Sequence, residues 1–192
     1  MKRIAILASG EGTNAENIIR YFSERKTAKV VVVITNKAQA GVLNRADKLG
    51  IPTEFIPAQD FTEGRALEVL HRYQTDFIAL AGFLLRVPDD ILHDYPNKIV
   101  NIHPALLPKF GGKGMYGSRV HQAVIASHEK ESGITIHYIN ERYDEGNTIF
   151  QATCPVLPTD TPDTLAIRVH QLEYEYFPRV IEATILGKNL SI

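Results

Sequence analysis

Cysteine is almost missing from the chain: Cys154 stands alone, which excludes an internal disulfide and any paired-cysteine metal motif. There is no tryptophan and no excess of one charge, since 21 Lys and Arg against 22 Asp and Glu leave a net −1. So balanced a composition carries no electrostatic footprint for nucleic acid or anionic membrane, and small molecules or protein are the expected partners. Long apolar runs are lacking too. Val30-Val31-Val32-Val33-Ile34 is too short to cross a bilayer and β-branched throughout, and the apolar run after Lys2-Arg3 meets Glu11 before a signal-peptide core is complete. A cytoplasmic protein is the expectation.

What is present is 192 residues, 44% of them hydrophobic, enough for one substantial core and one domain over 1–192. Lys2 to Ala8, Val30 to Thr35, Thr53 to Ile56 and Phe77 to Ala81 read as buried strands, and Lys98 to Val100 leads a fifth that ends at Asn101. Helical spacing fills the intervals: Ala15 to Phe22, Gly41 to Leu49, a helix from Asp60 and Glu63 (a capping-box pair) to about Tyr73, and Asp89 to Tyr95. Strand–helix alternation of this length implies right-handed crossovers and a parallel sheet. The second half predicts a helix over Arg119 to Ser127, a hairpin-like pair Ile134 to Ile139 and Thr148 to Cys154, and a long helix capped by Thr161-Pro162, kinked at Pro178 and stopped by Gly187. The fold class is therefore α/β, a three-layer, mostly parallel Rossmann-like sheet with antiparallel additions in the C-terminal half.

Three loops leave carboxyl ends of parallel strands on one edge, where open α/β sheets bind ligands: Ser9 to Asn14, Gly82 to Val87 and Asn101 to Lys109. Asn101 and His103, spaced i and i+2, share a side of an extended backbone, with Pro104 and Pro108 restricting the chain beyond them. They read either as a buried turn or as an amide donor beside a titratable ring. Gly10-x-Gly12-x-x-Ala15 matches a relaxed dinucleotide fingerprint, but Asn36-Lys37 stands where a ribose-binding acid is needed. NADP is demoted by that, and a phosphate site on the N–H groups of Gly12, Thr13 and Asn14 remains. Gly111-Gly112-Lys113-Gly114 lacks the Ser or Thr of a P-loop and reads as a lid or plain loop, and the histidines show no metal-ligand spacing. His137 faces either core or site. Asp144 lies in a glycine-containing turn, and a carboxylate near His103 would raise the imidazole pKa and favour the cation.

Asn101-Ile102-His103-Pro104-Ala105-Leu106-Leu107-Pro108, joined to the phosphate loop, Ala81-Gly82-Phe83 and Asp144-x-Gly146, closely resembles the glycinamide ribonucleotide formyltransferases of purine biosynthesis, from Ile4 to about Leu186. The resemblance implies a single formyltransferase domain in which Asn101, His103 and Asp144 are catalytic. It implies that Gly12, Thr13, Asn14, His170 and Glu173 bind glycinamide ribonucleotide, with Glu173 on the ribose hydroxyls. It implies that 10-formyltetrahydrofolate lies along Leu84, Leu85, Arg86 and Val87, with Asn101, and along Asn140, Glu141, Arg142, Tyr143 and Asp144, with Arg65 nearby. Two departures are visible: the arginine after Gly82-Phe83 is one place late, at Arg86, and the Gly111 to Gly117 loop is longer than the common form. The implied protein is a monomer or homodimer that needs no metal, nucleic acid or membrane. Two alternatives compete: a formyltetrahydrofolate hydrolase, whose usual regulatory domain has no room here, and a non-catalytic NADP or nucleotide-binding module.

Overall fold

The apolar strands pair as one seven-stranded sheet in a computed structural model that describes residues 1–188, so the last four residues of the expected domain lie outside the described part. In chain order β1 (Lys2–Leu7), β2 (Ala28–Thr35), β3 (Thr53–Phe55), β4 (Phe77–Leu80), β5 (Ile99–His103), β6 (Glu131–Tyr138) and β7 (Thr148–Pro155) stand as β3-β2-β1-β4-β5-β6-β7. The first five are mutually parallel, β6 adds antiparallel to β5, and β7 adds antiparallel to β6. β1 and β4 are covered on both faces and are apolar at nearly every position, as buried parallel strands require.

The helices are α1 (Thr13–Arg25), α2 (Gly41–Lys48), α3 (Ala58–Thr62), α4 (Arg65–Arg72), α5 (Asp89–Asp94), α6 (Ser118–Ala126) and α7 (Pro162–Leu186). Their apolar stripes close two core layers. One joins Ile18 and Phe22 of α1 to Val120 of α6 and Leu165, Val169 and Phe177 of α7. The other sets Phe61, Leu70 and Ile91 against Leu7, Ile34 and Ile78.

The segment from Asp60 to Tyr73 is two short helices, not one. Gly64 takes a left-handed φ of 93° between them, α3 starts after Pro57, and Asp60 lies inside it, so the expected capping box does not form. Pro88 stands just before α5 with extended backbone. β5 continues through His103, so Asn101 and His103 are the last rungs of the strand instead of the start of a loop. The cap of α7 forms as expected: Thr161 and Thr164 bond each other's backbone N–H groups, Gly187 ends the helix at φ 62°, and the helix runs unbroken through Pro178. No described helix is long and apolar enough to cross a membrane.

Candidate active site

Strand alternation places the central side chains. In β5, Val100 and Ile102 point into one core layer, so Asn101 and His103 share the other face at the carboxyl end. Pairing with β6 sets His137 opposite Asn101 and Thr135 opposite His103. Asn101 Nδ2 lies 3.2 Å from His137 Nε2, and His137 Nδ1 donates to the Tyr138 carbonyl at 2.9 Å. His137, fully buried, thus belongs to the site rather than to the core. Thr135 secures the loop that follows β5: its hydroxyl donates to the Ala105 carbonyl (2.7 Å) and accepts from Leu107 N–H (2.9 Å) and Gln151 Nε2 (2.8 Å). The loop is therefore held by these bonds as well as by its prolines.

Asp144 returns to this face from the β6–β7 connection. Gly146 lies so close to the Tyr138 carbonyl that no side chain would fit, which tightens the turn, and Asp144 itself adopts a left-handed φ of 57°, a conformation Asp tolerates. Its Oδ2 accepts from Gly112 N–H at 2.9 Å and lies 3.6 Å from His103 Nδ1, while Oδ1 lies 3.6 Å from His137 Nε2. Burial opposes ionisation of Asp144, but His137, His103 and the Gly112 N–H together outweigh it and hold the carboxyl below its ordinary range.

The expected charge on His103 is corrected. The ring is 4% exposed, and burial pushes its pKa below the ordinary value although Asp144 and the Phe110 carbonyl pull the other way. At neutral pH the imidazole is uncharged, with Nε2–H donated to the Phe110 carbonyl at 2.8 Å.

The phosphate-loop residues open the other end of the same cavity. Gly12 caps α1 from a left-handed φ of 77°, no side chain caps the helix, and its first N–H groups stay available to an anion. A Cβ on Gly12 would collide with the Val42 backbone, and Val42 N–H and Arg45 brace the loop through the Gly10 and Glu11 carbonyls. Across from it, α7 presents buried Glu173, which accepts from Asn14 Nδ2 (2.8 Å) and meets His170 Nδ1 (2.7 Å). That contact raises the His170 pKa.

One cavity of about 970 Å³ joins these parts. It is lined by Gly10–Asn14, Asn101, His103, Asp144, His170 and Glu173, together with Leu84, Tyr143 and Gly112–Arg119. Leu84, Tyr116 and Tyr143 are large apolar side chains left 38–44% exposed there, as a wall for a flat apolar ligand would be. Other expected folate positions are not brought to it. Arg65 pairs with Asp60 at 3.4 Å, Leu85 and Val87 pack on the core, and Arg86 bonds Asp89 (2.5 Å) and the Glu141 carbonyl (3.2 Å). Asn140, Glu141 and Arg142 form the adjoining turn, in which Asn140 accepts Arg142 N–H, outside the lining. His121 was not anticipated. It lies on α6, 2% exposed, and also lines the cavity. Among the described residues no cluster of His, Cys, Asp and Glu has the makings of a metal site.

A phosphate-ready helix end, an Asn/His/Asp group and an apolar wall meet at the carboxyl edge of a mixed sheet, and the chain belongs to the formyl transferase family, whose model matches residues 2–181. Its relatives include phosphoribosylglycinamide formyltransferases. The chloroplastic one of Arabidopsis thaliana is 39% identical over 95% of this chain and 65% of its own length, and that of Bacillus subtilis is 35% identical over 98% and 97%. The chain thus spans less than two thirds of the plant relatives and nearly all of the Bacillus one. Glycinamide ribonucleotide transformylase 1 from Symbiobacterium toebii superposes with a TM-score of 0.90 at 33% identity, over 97% of this chain and 89% of that one.

Proposed function

We propose that the protein transfers the formyl group of 10-formyltetrahydrofolate to the amine of glycinamide ribonucleotide, as a single domain. The observation that carries the reading is the single cavity in which Asn101, His103 and Asp144 stand between the open helix end of α1 and the apolar side chains of Leu84 and Tyr143. The ribonucleotide phosphate would take the N–H groups of Gly12, Thr13 and Asn14, and its ribose would take Glu173, steadied by His170. The folate would lie on Leu84 and Tyr143, with Arg65, Leu85, Arg86, Val87, Asn140, Glu141 and Arg142 around it rather than against it.

The ribonucleotide amine attacks the formyl carbon, forming a C–N bond while the carbonyl electron pair moves to oxygen. Asn101 Nδ2 donates one hydrogen toward His137 and keeps its second for that oxygen. His103 offers Nε2–H to the same oxygen once the Phe110 carbonyl moves away, so loop movement is part of the reading. The imidazole stays neutral while charge grows on the oxygen, and the Asp144 carboxylate beside its Nδ1 stays ionised and free to take the amine proton. The amine proton passes, by way of the Asp144 carboxylate or a water, to the folate nitrogen. The carbonyl re-forms as the bond from carbon to that nitrogen breaks.

The test is a steady-state assay of purified protein with both substrates. Deformylated folate should form only when glycinamide ribonucleotide is present. Equal release without the ribonucleotide would identify a hydrolase, and no release with both would identify a binding module.

A further inference from the structure

Four buried side-chain polar atoms among the described residues have no hydrogen-bond partner: Asn14 Oδ1, Thr75 Oγ1, His121 Nδ1 and Ser132 Oγ. Two of the four, on Asn14 and His121, belong to the lining of the large cavity. Buried polar groups are rarely left unpaired, so an orphan in a cavity wall points to a ligand that completes it. His121 is not free to turn to water, being 2% exposed on α6. Its ring lies edge-on to His170, with centroids 6.5 Å apart. His170 in turn is engaged with Glu173 Oε2, which also accepts Asn14 Nδ2. Glu173 Oε1 takes no protein donor among the described residues, so it is open as well, beside the imidazole and Asn14 Oδ1. Burial, reinforced by His170, keeps the His121 pKa below its ordinary value, so at neutral pH the ring is neutral and carries a lone pair.

Of the open acceptors in this lining, His121 Nδ1 and Glu173 Oε1 match the two O–H donors of a vicinal diol. We infer that His121 Nδ1 accepts a hydrogen bond from one ribose hydroxyl while Glu173 takes the other, making His121 a specificity-determining residue for ribose over deoxyribose. The assignment rests on the ribonucleotide reading above and extends it to a residue the sequence did not single out.

Calorimetric titration of glycinamide ribonucleotide and of its 2′-deoxy and 3′-deoxy analogues tests it, in the wild type and in His121→Phe and His121→Asn. Asparagine sets a polar atom where Nδ1 stood, and phenylalanine keeps only the ring. In the wild type, each analogue should bind more weakly, by roughly three- to tenfold for the hydroxyl that meets His121. His121→Phe should lose that same factor for the ribonucleotide and no longer discriminate against one analogue. His121→Asn should restore the discrimination, and all three proteins should keep one folate affinity. If His121→Phe does not fold, His121→Gln, with its polar group at the Nε2 position, takes its place against His121→Asn. Equal discrimination by the wild type and a folded Phe or Gln variant overturns the inference alone. Failure of the wild type to bind the ribonucleotide overturns the proposed function and this inference with it.

Discussion

His103 holds the Phe110 carbonyl with one ring nitrogen and faces Asp144 with the other, and each contact makes a different demand on the proton. The carbonyl requires N–H at Nε2, and the acid favours a second proton at Nδ1, but burial of the ring outweighs both and leaves it neutral. His121 is shifted the same way by its own burial, and His170 the opposite way by Glu173. The sign for stability follows. For His103 and His121 the unfolded chain binds a proton that the folded one resists, so a cost appears as pH falls below 6.5 and grows toward the folded pKa values. The stabilisation from His170 is complete below 6.5 and is lost as pH rises through its raised pKa. With two groups against one partly exposed group, the melting temperature should fall between about pH 7.5 and about pH 5.5. His103→Asn should flatten that fall, and an unchanged slope in a scanning-calorimetry series would remove the burial argument. Asn101 is simpler. Removing an oxyanion donor costs about 2.7–4 kcal/mol in the transition state, so Asn101→Ala should lower turnover roughly 10²–10³-fold with substrate affinities near wild type. Near-normal turnover would take the amide out of the chemistry. Asn101 and His103 were legible because i, i+2 spacing at the end of an apolar strand leaves few readings. His137 was half legible, since alternation gives a face but not which layer the face meets. His121 gave no signal, because a histidine in a helix looks the same with or without a partner for Nδ1.

At the level of elements, the glycine loop before α1 is a designed gap. Gly12 has left-handed backbone and no space for a Cβ against Val42, so the loop sits where α2 braces it and the α1 amides stay open. Gly12→Ala should destabilise the fold by about 1–3 kcal/mol through strain and overpacking. It should also weaken ribonucleotide binding roughly ten- to a hundredfold by moving N–H groups off the phosphate, with folate affinity kept. Parallel titrations of the two substrates check this, and equal loss for both would mean that the loop serves the whole fold rather than the phosphate. The glycine-rich segment before α6 works differently. Gly111 lets the chain pass within 2.5 Å of Leu107 and 3.3 Å of Asp144 Cβ, counted from where a Cβ would stand, and Gly112 N–H binds the Asp144 carboxylate. The backbone of this segment therefore holds both His103 and Asp144 before substrates arrive. The sequence marked the segment as loose but could not say that it leans on the site, because backbone donors and acceptors are the same in every residue. The break at Gly64 was missed for a related reason: apolar periodicity continues through a helix interruption when both pieces bury the same face.

For the molecule as a whole, the division between a parallel first half and an antiparallel second half places the chemistry. Parallel strands bring the phosphate loop and Asn101 to one edge, and the reversal at β6 returns His137 and Asp144 to that edge from far along the chain. α7 then crosses back to bring Glu173 to Asn14, 159 residues away. Strand–helix alternation made the architecture legible, since buried parallel strands and their crossovers leave a long-range pattern in hydrophobicity. The expected folate positions were the least legible part. They depend on which exposed side chains of two loops face inward, and Leu84 and Tyr143 do while Leu85, Arg86 and Val87 do not. Direct transfer within this one cavity can be followed by the fate of a carbon label. With [¹³C-formyl]tetrahydrofolate and glycinamide ribonucleotide, NMR should find the label in the N-formyl group of the ribonucleotide, with none in free formate. Label accumulating as formate, at a rate indifferent to the ribonucleotide, would rule out direct transfer.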